Sequence, residues 1–100
     1  MKDNKETNGL YISYVQTFPI SEPQGKLLGF ARVCLNDALQ LTGLRIYKGT
    51  HGLFVSYPND VSYGDDYKQV YYPITAEVRT LIEVTILSQF ESDLKEMTQR

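Results

Sequence analysis

The stretch from Gly43 to Pro58 constrains the fold of this 100-residue chain more than any other. Two short runs rich in β-branched and aromatic residues, Leu44–Tyr47 and Leu53–Tyr57, flank a Gly-Thr-His-Gly connector. Such runs favour a pleated, half-buried surface. Gly49 and Gly52 can supply the positive φ that a tight reversal needs. The stretch therefore predicts two consecutive antiparallel strands, the second ended by the proline.

Two further strands are predicted before this stretch. The segment from Leu10 to Phe18 alternates, and Leu27–Leu35 is an apolar run whose alternate residues include small side chains. A short reversal at residues 36–38 leads into Leu39–Tyr47. The apolar alternation of that strand slips by one residue at Gly43, which predicts a β-bulge. The predicted apolar face of the first strand consists of Leu10, Ile12, Tyr14 and Phe18.

The C-terminal part of the chain changes from strand to helix. Asn59–Tyr67 has the composition of a loop, and Lys68–Ile74 is predicted as a last short strand ended by Pro73. Thr75 is predicted as the N-cap of a helix of about 20 residues. Apolar residues of this helix recur at spacings of three and four. They are Val78, Leu81, Ile82, Ile86, Phe90, Leu94 and Met97.

Together these patterns predict an α+β fold. A small antiparallel β-sheet of four to five strands is followed by a C-terminal amphipathic helix, whose apolar stripe covers the small-residue face of the sheet. Residues 1–9 are polar and patternless, which predicts a disordered N-terminal tail, and residues 10–97 form a single domain. A chain of this size has only a thin core, so we expect its stability to be shared with a second copy.

Composition indicates a cytoplasmic protein with a segregated charge. Cys34 is the only cysteine, which excludes an internal disulfide, and its place in a strand predicts a buried hydrophobe. No apolar run approaches the roughly 20 residues of a membrane span.

The net charge is −2, yet residues 26–56 hold four cations against Asp37 alone. A basic face on an acidic protein is one interpretation, and a solvated sheet edge is the other.

No residue pattern indicates an enzyme. His51 stands alone in the connector, without the serine, cysteine and carboxylate partners of a catalytic arrangement. Asp60, Asp65 and Asp66 lack the spacing of an EF-hand loop, and the glycines match neither a dinucleotide-binding nor a P-loop fingerprint. We therefore expect no catalytic residue, no cofactor, no metal and no small-molecule substrate.

Basic and aromatic side chains are interleaved along the predicted strands and loops. Cations neutralise phosphates and aromatic faces accept stacked bases, so the mixture is compatible with a nucleic-acid surface. Packing or dimer contacts are the alternative role for the tyrosines, and the acidic pI of about 5.3 opposes strong polyanion binding. The residues concerned are Arg32, Arg45, Lys48 and Lys68 among Tyr47, Phe54, Tyr57 and Tyr67.

The stretch from Gly43 to Pro58 resembles the sequence of a known family. Leu44-Arg45-Ile46, then Gly49 and Gly52-Leu53-Phe54-Val55-x-x-Pro58, is similar to the stage V sporulation protein G (SpoVG) family of septation regulators. Further matches occur in the right order at Gly25-Lys26-Leu27 with Ala31, at Leu35-Asn36-Asp37, and at Tyr67-Lys68 with Pro73-Ile74. The resemblance extends from Tyr11 to Phe90.

The resemblance implies a small sheet backed by a C-terminal helix, a homodimer, and site-preferring binding to DNA or RNA by a bacterial regulator of septation or sporulation genes. Arg45 occupies the family's strand arginine, Lys68 stands where the family usually has arginine, and Arg79 matches an arginine near the helix start. Two of the departures from the family remove basic residues, and a third places Tyr72 where a histidine is common before the last proline. Gln16 replaces a basic residue of the first strand, and Asp60-Val61 replaces a Lys-Arg pair.

Two hypotheses follow for the function. The first is a dimeric, non-enzymatic nucleic-acid-binding regulator in which Arg45, Lys48, Lys68 and Arg79 from two copies contact phosphates. The alternative is a dimeric protein-interaction module that has kept the fold and lost nucleic-acid binding. Each cation lost from such a surface removes about one counterion's worth of salt-dependent binding, so the two departures bear directly on this choice.

Overall fold

The computed structural model of the chain describes residues 6–60 and 68–98. Strands β1 to β4 form one antiparallel sheet in sequence order, each hydrogen-bonded to the next, and β5 pairs with β6. One helix follows them. The elements are β1 (Ile12–Pro19), β2 (Leu27–Leu35), β3 (Leu39–Gly49), β4 (Gly52–Ser56), β5 (Asn59–Asp60), β6 (Lys68–Gln69) and α1 (Ala76–Thr98).

The predicted α+β fold is confirmed, because α1 packs against one face of the four-stranded sheet. The predicted last strand, Lys68–Ile74, was too long, since β6 contains only two residues. Val70 N donates to the carbonyl of Pro58 at 2.7 Å just beyond the pair, and Pro73 then has no amide hydrogen to continue a ladder. Residues 61–67 of the predicted loop lie outside the described residues.

The hydrophobic core lies between α1 and the inward face of the sheet. Strands contribute alternate residues to it, whereas the helix contributes every fourth residue. Because the buried row of α1 advances by four, Leu81 of the predicted stripe is only half-buried and Met97 is exposed. The buried cluster is Ala31, Val33, Leu44, Ile46, Val55, Tyr57, Val78, Ile82, Ile86 and Phe90.

Helix and sheet approach each other closely at Gly29 on β2. A Cβ atom placed there would lie 2.9 Å from Cε1 of Phe90 and 3.0 Å from the carbonyl oxygen of Phe18. Phe90 is fully buried. The small-residue face predicted from the sequence is therefore the face that α1 covers. The ring of Phe90 occupies the space that a side chain at Gly29 would need.

Replacing Gly29 with alanine should destabilise the fold. The added methyl group must displace Phe90 and a strand carbonyl, and overpacking of this kind costs about 1–3 kcal/mol. Urea unfolding of Gly29→Ala, followed by circular dichroism, measures that loss. Gly25→Ala is the matched control, because nothing lies within 4 Å of its added Cβ. Equal stability of the two variants would contradict the close packing.

The predicted bulge at Gly43 is present. Ala31 lies opposite Leu44 whereas Val33 lies opposite Leu41, so β3 has one residue more than β2 between these pairs. Gly43 has φ of +83°, a left-handed conformation that glycine adopts without steric cost. The bulge keeps the apolar residues on both sides of Gly43 directed toward α1.

A second bulge, at Ser13, corrects the predicted apolar face of β1. Ile12 lies opposite Leu35, whereas Tyr14 lies opposite Cys34, so the alternation inverts between them. Leu10 and Ile12 pack against the core, but Tyr14 and Phe18 lie on the opposite face of the sheet. The Ser13 hydroxyl accepts a hydrogen bond from the amide of Asp37 at 2.6 Å, which gives the extra residue a specific partner.

The turns of the β2–β3 and β3–β4 hairpins use different backbone conformations. Between β2 and β3, Asn36 and Asp37 have φ of +54° and +52°, as a type I′ turn requires. Between β3 and β4, Gly52 has φ of +121°, as predicted. Gly49 does not have the positive φ predicted for it. A Cβ there would instead lie 3.0 Å from the ring of Phe54, so this glycine makes room for a side chain.

The chain begins to make contacts before Leu10, inside the segment predicted as a tail. Thr7 and Leu10 form an isolated bridge around a turn, and the side-chain amide of Asn36 donates to the Gly9 carbonyl at 3.1 Å. Residues 1–5 lie outside the described residues. Disorder of the N-terminal tail stays a prediction.

The start of α1 agrees with the sequence pattern. The Thr75 hydroxyl accepts a hydrogen bond from the amide of Val78 at 3.2 Å, as an N-cap does. Glu77 lies in the first turn and Lys95 in the last, where both charges complement the helix dipole. Within the described part of the chain, no helix is long and apolar enough to cross a membrane.

Candidate nucleic-acid interface

The sheet has an uncovered face on the side away from α1, which we call the outer face. Its side chains alternate with the buried residues of β1 to β4, so their direction follows from the strand register. Most of them are aromatic or cationic. The outer face includes Tyr14, Gln16, Phe18, Phe30, Arg32, Gln40, Arg45, Tyr47, Phe54 and Ser56.

The register places aromatic and cationic side chains next to one another across the strands. Phe18 lies opposite Phe30, which in turn lies opposite Arg45, so one row crosses three strands. At the hairpin end, Tyr47 lies opposite Phe54 and their rings stack with centroids 5.6 Å apart and planes inclined by 22°. The outer face therefore combines flat rings with positive charge.

The two arginines of this face differ in their local contacts. Nε of Arg32 donates to Oε1 of Gln16 at 2.5 Å, and its guanidinium lies 5.5 Å from the ring centroid of Phe18. Gln16, one of the departures from the family pattern, thus orients a cation of the neighbouring strand. Arg45 is exposed, and no described residue forms a hydrogen bond or an ion pair with its side chain.

Lys48 and Lys68 lie away from the outer face. Lys48 is exposed near the tip of the β3–β4 hairpin and lies opposite Leu53, which packs against the core, so the two share the inward side. Lys68 is in β6, opposite Asp60, beside an open groove that Tyr72 also lines. The predicted site residues therefore do not form one cluster within a single copy.

Arg79 lies on the helix side of the sheet and is held by three contacts. Its guanidinium is 3.5 Å from Oε2 of Glu83 and donates to the Pro73 carbonyl at 3.3 Å. It also lies 5.5 Å from the ring centroid of Tyr57, a buried residue. Arg45 and Arg79 consequently lie on opposite sides of the sheet, and Arg79 has a structural role where the chain enters α1.

The sequence did not single out Phe18 and Phe30 as members of the candidate interface. Phe18 was assigned to the apolar face of β1, because the bulge at Ser13 has no clear signal in the sequence. A signal for Phe30 did exist. Since the small residues of β2 lie on one parity, the opposite parity, with Phe30 and Arg32, had to face away from the helix. Tyr57, in contrast, was expected on a binding surface and is buried.

Two tyrosines at the N-terminal end of α1 are held in their neutral form. Tyr57 donates to Glu83 at 2.9 Å, and burial, with this hydrogen bond, raises its pKa well above the usual range. Tyr71 donates to the Thr42 carbonyl at 2.7 Å, and burial raises its pKa to about 12. Their rings meet edge to face with centroids 6.3 Å apart.

Alkaline pH should therefore weaken the fold through Tyr71. Between pH 10.0, the ordinary tyrosine pKa, and about 12, the unfolded chain loses this proton before the folded chain does, so the free energy of unfolding falls as pH rises. Urea unfolding at several pH values measures the slope. Tyr71→Phe should lose some stability at neutral pH but show a shallower alkaline decline, and an unchanged decline would contradict the raised pKa.

A small apolar cavity lies beneath the start of α1. Its volume is about 170 Å³, and the hydroxyls of Tyr57 and Tyr71 on its wall already have partners. Apart from Tyr72, the other described residues on its wall are apolar, so they do not supply the convergent polar groups that orient a cofactor. Among the described residues, no cluster of three or more His, Cys, Asp or Glu side chains could hold a metal ion. Asp65 and Asp66 lie outside them.

Comparison with known proteins identifies the family. The SpoVG family profile matches residues 10–92, from two residues before β1 into the last turns of α1. The chain belongs to the SpoVG family. A relative from Bdellovibrio bacteriovorus, named for the septation protein SpoVG, is 28% identical over 86% of this chain and 78% of its own length.

Two further relatives bear the same name. The protein of an Anaeromyxobacter species is 29% identical over 84% of each chain. That of Symbiobacterium thermophilum is 32% identical over 69% of this chain and 49% of its own length. SpoVG proteins are thus named for septation and not for an enzymatic activity. The match of the family profile to residues 10–92 includes all of β1 to β4, and hence the whole outer face.

Proposed function

We propose that this SpoVG protein is a cytoplasmic, non-enzymatic regulator that binds DNA or RNA as a homodimer and acts on septation-type genes. The observation that supports it most directly is the charge of the outer face. Strands β1 to β4 contain no aspartate or glutamate, yet they present Arg32 and Arg45. Exposed cations without counter-charges are suited to phosphates.

Within this proposal, the cations have different roles. Arg45 contacts a phosphate directly, because it is exposed and no described side chain competes for it. Arg32 contributes a second charge beside it on the outer face. Lys48 and Lys68 extend the surface at the hairpin tip and at β6, and a symmetric dimer would repeat each of them. Arg79 reaches phosphate only if the partner copy brings the helix side next to the nucleic acid.

The salt dependence of binding tests the role of Arg45. Each phosphate contact contributes about one unit to the slope of log affinity against log salt concentration. Arg45→Gln should therefore reduce the slope measured by fluorescence anisotropy with labelled DNA and RNA. A titration that begins near 50 mM salt gives the range that the slope requires.

Arg79→Gln is the matched control for this experiment, because it removes the same charge from the opposite side of the sheet. We expect its slope to equal that of the unchanged protein, while its unfolding midpoint falls through the loss of the Glu83 and Pro73 contacts. Equal slopes for Arg45→Gln and the unchanged protein would remove Arg45 from the interface. Absence of binding to any nucleic acid near 50 mM salt would favour the protein-interaction alternative.

We place the homodimer contact at the segment before α1. Val70, Tyr72 and Ile74 alternate along it, and Ile74 is 89% exposed. Three exposed apolar side chains in a row are typical of a protein contact. The same row would serve the alternative function, in which the partner is another protein and not a second copy.

Polar substitution in this row should dissociate the dimer. Ile74→Ser removes the most exposed apolar side chain, so light scattering coupled to gel filtration should show a monomer at concentrations where the unchanged protein is a dimer. Val84→Ser is the control, since Val84 is also exposed but lies on α1. A dimer that is unaffected by Ile74→Ser requires another interface, and a monomeric unchanged protein rejects the homodimer.

A further inference from the structure

We propose that the outer face is a base-stacking platform that binds single-stranded nucleic acid in preference to duplex. This inference rests on the proposed nucleic-acid function and specifies the form of the ligand. Its basis is the number of exposed rings. Phe18 is 46% and Phe54 is 48% exposed, and Phe30 and Tyr14 are also exposed on the same face. Contiguous apolar surface of this kind on a soluble protein marks a binding site.

The charge of the face selects the type of partner. A second copy packed face to face would bring four arginines together, and β1 to β4 supply no carboxylate to pair with them. Burying unpaired charge in this way is strongly unfavourable. A nucleic acid strand, by contrast, offers a phosphate for each arginine and a planar base for each ring.

Several of these rings, and Arg32, are already held in place. The Phe54 ring lies over Gly49 and stacks on Tyr47, so two contacts fix its plane. Arg32 is fixed over Phe18 by its hydrogen bond to Gln16. Binding therefore requires little additional ordering of these side chains, which favours affinity for a flexible strand.

The breadth of the sheet excludes the usual duplex mode. Neighbouring strands lie about 4.8 Å apart, so the axes of four strands span about 14 Å before their side chains are counted. The major groove of DNA is about 12 Å wide and admits a helix or a two-stranded ribbon. Bases inside a duplex are also stacked on one another, so their faces are not available to Phe30 or Phe54.

Binding of matched strands tests the preference. The full chain is titrated, by anisotropy at about 50 mM salt, into a labelled single strand of about 12 nucleotides and into the duplex of the same sequence. The single strand is tested both as DNA and as RNA, and the two affinities show which of the two nucleic acids is bound more tightly. We expect the single strand to bind at least tenfold more tightly than the duplex. Phe54→Ala should weaken single-strand binding roughly tenfold, as the loss of one stacked base does.

A fluorescent reporter can locate the bases directly. The chain has no tryptophan, so Phe54→Trp introduces a single indole at the platform. Stacking of a base on it should quench its fluorescence and retain binding, because tryptophan also stacks. Val84→Trp is the matched control on exposed α1 surface, and its fluorescence should not change. Val84→Ala is the corresponding control for Phe54→Ala.

The outcomes separate the inference from the proposed function. Tighter binding of the single strand, together with quenching at position 54 but not at position 84, supports the stacking platform. Duplex binding equal to or tighter than single-strand binding overturns the platform and leaves the proposed function standing. No binding of either form overturns both. Polyglutamate carries negative charge but has no bases. If it bound with the same affinity as the single strand, binding would depend on charge alone, and the platform would also be overturned.

Discussion

The packing of Phe90 on Gly29 determines which side of the sheet is covered. The ring occupies the space that a side chain at Gly29 would need, at 2.9 Å from the position of its Cβ, and it is fully buried there. With α1 held on that side, the inward parity of every strand is fixed by the register. The outer face is then a consequence of the core, since Phe30 and Arg45 have the opposite parity to the buried residues and must point away from α1.

The sequence predicted the parts of the fold that depend on local pattern. The helix, its Thr75 cap, the bulge at Gly43 and the small-residue face of β2 all follow from periodicity or backbone geometry. The bulge at Ser13 was missed because its extra residue is held by the distant amide of Asp37, at 2.6 Å, and not by a local signal. Gly49 is similar, since its requirement for glycine comes from a ring on the next strand.

The candidate site was less predictable than the fold, because the sequence positions of the cations do not show on which side of the sheet each cation lies. Arg45 and Arg79 were grouped by family resemblance, yet the sheet separates them. Arg79 lies against Tyr57 and Glu83, so its charge is already used within the fold. Gln16 shows the opposite error. It was noted as a missing cation, but its side chain orients Arg32, which supplies a charge on the same face.

An acidic protein with two arginines on an aromatic face should rely on stacking more than on charge. Two phosphate contacts give a single-strand salt slope of only about 1.4, whereas stacked bases contribute about 1–3 kcal/mol each. Stacking is short-ranged, so it is unaffected by the net charge of −2, and salt screens the repulsion of that charge along with the attraction of the arginines. In the proposed interface, the aromatic rings would therefore allow a chain of this composition to hold a polyanion at ionic strengths that would release a purely cationic contact.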